Sequence, residues 1–210
     1  MGGYNIPKAT IHRLTRYYRC LERFLLNGKS NVSSKEMANK LNIKPSQIRK
    51  DLSYFGEFGK RGVGYDVREL MLSIENILGM KKNWSFCIVG IGNLGLAIAN
   101  YPGLTKARFK LKGVFDNDKS KIGIGLHDDL VIQSVNELEK TIKERKISIG
   151  VLTVPGKYAQ KLSDRMVSAG IDGIINFTPV RVIVPKQVML EEIDISISFR
   201  TLAFQINLNL

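Results

Sequence analysis

Gly90, Gly92 and Gly95 stand in the spacing G-x-G-x-x-G directly after an apolar run at residues 85–89, and Asp116 closes a second apolar stretch at residues 110–115. Residues of these types at this spacing can hold a dinucleotide. Gly90 allows a tight turn, Gly92 lets the backbone approach a pyrophosphate, and Gly95 lets the following helix pack close to the strand. With Ile91 between the first two glycines, a helix opening at Asn93 and Leu94 would turn its N–H groups and positive dipole end toward the phosphates. Asp116, with Asn117 beside it, can accept from both ribose hydroxyls and would repel a 2′-phosphate, which favours NAD over NADP. Glycine turns and loop aspartates also occur for structural reasons alone. The strand, turn, helix, strand context is what points to a ligand.

The elements that must position these groups are legible in the rest of the C-terminal part. Residues 130–132 read as a short strand, 135–146 as a charged helix, 147–154 as a near-continuous apolar strand, 157–169 as a helix and 174–175 as part of a further strand. Such alternation implies a doubly wound parallel sheet with right-handed crossovers. Ligands lie beyond the carboxyl ends of such strands, which singles out Thr153, Val154 and Pro155 on one loop and Asn176, Phe177, Thr178 and Pro179 on another. The same residue types serve as ordinary turn formers whatever the function.

Ahead of a polar junction at residues 79–83, the first 80 residues carry a different pattern. Ile11, Leu14, Tyr17, Tyr18, Leu21, Phe24 and Leu25 recur at helical spacing, with Arg13, Arg16, Arg19 and Arg23 on other faces and Gly28 as the stop. Ser33 or Ser34 can cap a second helix running to Leu41, with Glu36 near the capping-box position. After a turn at residues 42–44, Pro45 suits the first turn of a third helix that turns Ile48 and Leu52 inward and leaves Ser46, Gln47, Arg49, Lys50 and Tyr54 on other faces. Residues 56–66, rich in glycine around Lys60 and Arg61, suit a β-hairpin wing, and residues 67–78 return to helical spacing. This order is that of a winged helix-turn-helix, whose third helix enters the DNA major groove while the basic wing grips the backbone or minor groove. The charges could equally solubilise a helical dimerisation domain, but that leaves the glycine-rich basic wing without a purpose.

Composition agrees with a polyanionic partner. The net charge is +13; residues 1–80 hold 14 Lys and Arg against 7 Asp and Glu, or +7, and the remaining 130 hold 18 against 12, or +6. No run of eighteen apolar residues is present and residues 1–5 lack the regions of a signal peptide, so the expectation is a soluble cytoplasmic chain with no membrane partner. Cys20 and Cys87 read as small core residues, and with His12 and His127 they show no metal-ligand spacing, so no metal is expected.

Over nearly its whole length the chain is similar to the Rex redox-sensing transcriptional repressors. The resemblance is carried by Ile48-Arg49-Lys50-Asp51-Leu52-Ser53-Tyr54-Phe55-Gly56 followed by Gly59-Lys60-Arg61-Gly62-Val63-Gly64-Tyr65. Val89 to Gly95 with Tyr101-Pro102-Gly103, then Leu152-Thr153-Val154-Pro155, Gly173 to Pro179 and Val184-Pro185, follow in the family's order. The resemblance implies an α/β chain of three parts: a winged helix-turn-helix domain at 1–80, a Rossmann-type NAD(H)-binding domain at 84–192, and a domain-swapped dimerisation helix at 193–210. It implies a homodimer on palindromic double-stranded operator DNA, held with NAD or no ligand and released by NADH. By the same resemblance Tyr101 would be a further cofactor contact, and Arg19 with Asp194 would be the interdomain pair that answers to the nicotinamide. At Ile195 the chain departs from relatives that carry an aromatic residue there. Periodicity leaves the start of the last helix open, because residues 193–199 alternate like a strand while Phe199, Leu202, Ala203 and Ile206 recur like a helix. A small NAD-dependent dehydrogenase with a basic appendage would explain the glycine fingerprint equally well. It lacks an acid–base group at a strand end, since Tyr101 and Lys121 have no recognised spacing.

Overall fold

The computed structural model describes residues 6–59, 62–126 and 130–208, which fall into two compact units, Met1–Lys82 and Asn83–Leu210. The first contains α1 (Lys8–Leu26), β1 (Asn31–Val32), α2 (Ser34–Leu41), α3 (Pro45–Ser53), β2 (Tyr65–Asp66) and α4 (Val67–Ile77). Local chemistry sets these boundaries. Gly28, at φ 72°, follows the end of α1. Ser33 is the cap of α2, its hydroxyl accepting from the Glu36 N–H while the Glu36 carboxylate accepts from the Ser33 N–H, and Asn42 in the left-handed region ends that helix. Leu14, Tyr17 and Leu21 of α1 pack with Met37, Ile48, Leu52, Val67, Leu70 and Ile74 in one core.

The wing differs from the hairpin expected at residues 56–66. Among the described residues, the strand in this segment is β2, and it pairs antiparallel with β1, Asn31 opposite Asp66 and Val32 opposite Tyr65. The partner strand therefore comes from between α1 and α2. A two-residue strand carries no periodicity to read. Lys60 and Arg61, expected at the tip, lie outside the described residues, as do His127 and residues 1–5.

The second unit is built on a six-stranded parallel sheet: β3 (Trp84–Val89), β4 (Phe109–Asp116), β5 (Gln133–Ser134), β6 (Ile149–Leu152), β7 (Gly173–Asn176) and β8 (Met189–Glu192). Its order, β5-β4-β3-β6-β7-β8, reverses between β3 and β6, the arrangement of a doubly wound dinucleotide fold. Strand alternation divides the core. Cys87, Val89, Phe115 and Leu152 face α7 (Leu138–Glu144) and α8 (Gly156–Ser168), while Phe86, Ile88, Val114 and Val151 face the side of α5 (Asn93–Ala99) and α6 (Pro102–Lys106). Two expected elements move: residues 130–132 give only an isolated bridge between Val131 and Gly125, with β5 following, and the charged helix begins as a 3₁₀ turn at Val135–Glu137. β8 has no expected counterpart, and α9 spans Ile195–Leu208, which resolves the ambiguous tail in favour of helix. Cys20 and Cys87 are buried free thiols, and burial pushes Cys87 up to about 12.

In the first unit, one buried carboxylate ties α3 to α1. Asp51, 0 % exposed, accepts from Arg13 Nε at 2.5 Å and Nη2 at 2.7 Å, from Tyr17 Oη at 2.6 Å, from Thr10 Oγ1 at 3.2 Å and from Gln47 Nε2 at 2.9 Å. Burial opposes its charge, but Arg13, Tyr17 and Gln47 outweigh that and hold the carboxyl below the usual carboxylate range. The stabilisation is thus complete above the unfolded value near ~3.9 and is lost as pH falls through the lower folded value. Asp51→Asn is expected to cost roughly 3 kcal/mol, the scale for breaking a buried charge pair, and to flatten the acid limb of stability against pH. Urea unfolding followed by far-UV circular dichroism from pH 2 to 7 measures both; an unchanged acid limb would remove Asp51 as its source.

Candidate nucleotide site and nucleic-acid interface

Where β3 and β6 part company, three chain segments meet around Gly90. Thr153 Oγ1 donates to the Gly90 carbonyl at 2.7 Å, the Thr153 N–H donates to the Val89 carbonyl at 3.0 Å, and the Gly90 N–H donates to the Phe115 carbonyl at 2.8 Å. Gly90 itself sits at φ 99°, and a Cβ there would lie 2.7 Å from the Thr153 carbonyl oxygen. A Cβ on Gly95 would run into the Gly90 carbonyl. These two glycines are required by the chain's own packing. Gly92 is different: its φ is −84° and a Cβ would meet nothing within 4 Å. Within the chain it has no steric reason to be glycine, so the open space beside it fits the close approach of a ligand. No side chain caps α5, which begins just after it.

Asp116 closes the loop from the other side. Its Oδ2 accepts from the Ile91 N–H at 2.8 Å and its Oδ1 from the Asp118 N–H at 2.9 Å, with Lys121 Nζ at 3.4 Å. Burial resists its charge, but the Asp118 and Ile91 amides and Lys121 hold it below the ordinary carboxylate range. An ionised carboxylate offers about four lone-pair sites, so room remains for a ribose hydroxyl. A cavity of about 810 Å³ opens here, lined by Gly90, Gly92, Asp116, Asn117, Thr153, Val154 and Pro155, together with Val135, Leu162, Tyr158 and the cations Lys121, Lys157, Lys161 and Arg165. The apolar wall, the carboxylate and the excess of positive charge suit an adenine, a ribose and a diphosphate in turn.

Not every residue singled out in the sequence reaches this cavity. Ile91 contributes its N–H while its side chain is buried; Asn93 and Leu94 are exposed on α5. Tyr101, at the start of α6, lines a separate apolar cavity with Phe177. Asn176 is 1 % exposed and its amide is occupied within its own turn, Oδ1 accepting from the Thr178 N–H and hydroxyl and Nδ2 donating to the Val180 carbonyl. Pro179 and Val180 then pack against Gly156 at the start of α8, so this loop supports the cavity wall at Pro155. Asp194 accepts from the Ser196 N–H at 2.8 Å at the head of α9, the helix-start role open to such a carboxylate. Arg19 is exposed on α1 in the other unit. The sequence reading overlooked Lys157, Lys161 and Arg165; their i, i+4, i+8 spacing straight after the Thr153 loop was the available signal.

On α3, Ser46, Arg49 and Lys50 are exposed, Gln47 and Tyr54 half-buried. Arg49 Nη1 donates to Ser34 Oγ at 2.9 Å, which holds the guanidinium near the start of α2. Asp51 is the residue that reading the helix for DNA contacts missed. It lies three residues after Ile48 and four after Gln47, a carboxylate on an apolar stripe, matched on α1 by Thr10, Arg13 and Tyr17.

Comparison with known proteins agrees with both halves. A family described as "Putative DNA-binding protein N-terminus" matches residues 5–53, and one described as "CoA binding domain" matches residues 81–180. The chain is 51 % identical over 201 residues to the redox-sensing transcriptional repressor Rex 1 of Thermotoga maritima, covering 96 % of each chain, and 46 % identical to the Rex repressor of Thermosipho africanus, covering 98 % of each. Its fold matches the crystal structure of RSP, a Rex-family repressor, in complex with β-NAD+ and operator DNA, with TM-score 0.93 and 41 % identity over 99 % of this chain and 95 % of that one. RSP in complex with β-NADH gives TM-score 0.90 at 40 % identity, over 99 % and 97 %.

The two kinds of glycine give a paired expectation. Gly92→Ala should melt within about 1 kcal/mol of the parent, the scale of a Gly-to-Ala change at an ordinary φ, yet lose most of its affinity for NADH. Gly95→Ala should lose stability by roughly 1–3 kcal/mol or more through overpacking. Thermal melts with titration of NADH fluorescence check both, and an unimpaired Gly92→Ala titration would remove the phosphate from that loop.

Proposed function

We infer that this chain, which belongs to the Rex family of redox-sensing transcriptional repressors, is a DNA-binding repressor that senses the NADH/NAD ratio and not an enzyme. The observation that carries this reading is the near-full-length match to a repressor crystallised once with β-NAD+ and operator DNA and once with β-NADH. The geometry supports it at both ends, with a switch-point cavity fit for a dinucleotide and a helix-turn-helix whose third helix exposes Arg49 and Lys50.

In the DNA-binding part, residues 1–80, α3 enters the major groove with Ser46, Gln47, Arg49, Lys50 and Tyr54 on or beside base edges and phosphates, and Lys60 and Arg61 follow the backbone. In residues 84–192, the loop Gly90 to Gly95 carries the pyrophosphate, Asp116 and Asn117 the adenosine ribose, and Thr153 to Pro155 the middle of the cofactor. Asn176 to Pro179 shape the nicotinamide side, with Tyr101. Reduction of the nicotinamide removes one positive charge and adds a hydride. For that change to reach DNA, NADH must favour the arrangement that fits the operator poorly, and the operator must weaken NADH by the same factor. Arg19 and Asp194 form the pair that registers the difference.

The chain works as a homodimer on a palindromic operator, with residues 193–210 swapped onto the partner. Supporting this, α9 leaves Ile195, Ile197, Phe199, Leu202, Phe204, Ile206 and Leu208 each 53–72 % exposed. The α5 side of the sheet also keeps an almost wholly apolar cavity of about 370 Å³ lined by Phe86, Ile98, Leu104, Ile149, Ile175 and Phe177, so two apolar surfaces await cover.

Operator binding by fluorescence polarisation at fixed salt should persist with NAD and be released by NADH; weak, salt-sensitive, cofactor-indifferent binding would overturn the reading. Replacing Arg49 and Lys50 together by Ala should abolish operator binding and leave NADH affinity unchanged. Phe199→Asp with Leu202→Asp should shift sedimentation velocity from dimer to monomer and weaken the palindrome more than a half-site; a parent chain that sediments as a monomer would refute the dimer.

A further inference from the structure

We propose that Gln47 reads an exocyclic amino group of a base, adenine N6 or cytosine N4, through its side-chain carbonyl oxygen, because Asp51 fixes which end of the amide faces outward. The proposal rests on the placement of α3 in the major groove and adds what that helix reads there.

The two ends of a glutamine amide are alike in shape, and its orientation follows from its partners. Here the partner admits one answer. Asp51 receives both Arg13 donors, one on each oxygen at 2.5 and 2.7 Å, and the Tyr17 hydroxyl at 2.6 Å. A carboxylate so surrounded is ionised and offers only lone pairs, so the atom of Gln47 at 2.9 Å from Asp51 Oδ1 is its nitrogen. A carboxyl held below the usual carboxylate range is consistent with this. Gln47 and Asp51 are four residues apart on one helix, so the contact needs no movement of α3. The carbonyl oxygen is left over. Among the described residues, the buried side-chain atoms without a partner are Gln133 Oε1 and Ser163 Oγ, so Gln47 Oε1, which makes no hydrogen bond to any of those residues, reaches solvent.

In the major groove an accepting oxygen meets the amino groups of adenine and cytosine, whereas guanine and thymine present O6 and O4, which repel it. A free glutamine can turn its amide to suit either class. Gln47 cannot do so without presenting its oxygen to the Asp51 carboxylate. Asp51 is thus a positioning residue for base choice as well as for the helix.

The test uses the full-length chain and a palindromic duplex selected from a randomised pool. Binding of the parent and of Gln47→Ala to duplexes varied one position at a time locates the position whose preference the substitution relaxes. The expected result is a roughly two- to tenfold loss per half-site when the one amino group that this base pair shows to the major groove is removed, by purine for adenine or 2-pyrimidinone for cytosine, a loss on the scale of one hydrogen bond that Gln47→Ala does not show. Asp51→Asn, whose amide can donate to Gln47 Oε1 and so lets the Gln47 amide turn, should weaken the preference at that position; if that variant does not fold, the base-analogue result on the parent and on Gln47→Ala decides alone. Indifference of the parent to losing that amino group, or an equal loss in Gln47→Ala, overturns the proposal. So does a Gln47→Ala chain that keeps every preference. Failure of the parent to select any sequence overturns the repressor reading and this inference together.

Discussion

The nucleotide half depends on how closely three chain segments approach one carbonyl oxygen, that of Gly90. A strand end, the start of α5 and the Thr153 hydroxyl from the neighbouring strand all meet there, and the absent side chains at positions 90 and 95 are what let them. Once that junction is made, much else follows. The Ile91 N–H is aimed at Asp116, which joins the loop to the end of β4, and the chain leaving Thr153 is directed into α8, whose cations form the far wall of the cavity. The cavity is therefore a by-product of strand order: the sheet reverses at β3 and β6, and the loops diverge at that point.

The DNA-binding half relies on a constraint of another kind, a buried charge. Burying Asp51 is unfavourable in itself, and its partners from α1 roughly offset that cost rather than yielding a large surplus of stability. What the arrangement supplies is uniqueness. An apolar contact between α1 and α3 would tolerate sliding and rotation, whereas a carboxylate met by a guanidinium fork and a phenol is satisfied in one register. For a helix that must present a few side chains to a groove, register matters more than adhesion.

How much of this could be read from the chain depends on whether a feature leaves a local mark. The glycine spacing, the apolar strands and Pro45 at the head of α3 are local, and each led to the right element. β1, β2 and β8 escaped or were misassigned because two to four residues carry too little periodicity and their pairing partners are distant in sequence. Asn176 was singled out for its place at a strand end, which was correct, but its amide is turned into its own loop, a fact decided by Val180 and invisible to position alone. Asp51 was overlooked because it sits within a basic, DNA-like string, where a carboxylate draws the eye less than Arg49 and Lys50 do. Its three partners on α1 lie 34 to 41 positions earlier.

The two cysteines show what this molecule leaves unheard. Cys87 is sealed in β3 with its thiol pushed up to about 12 and Cys20 is buried with its acidity likewise suppressed, so almost no thiolate exists near neutral pH to be attacked by peroxide or disulfide. Oxidative state reaches a cell in two dialects, reactive oxidants and the filling of carrier pools. A chain with two suppressed thiols and a dinucleotide cavity is built to follow the second.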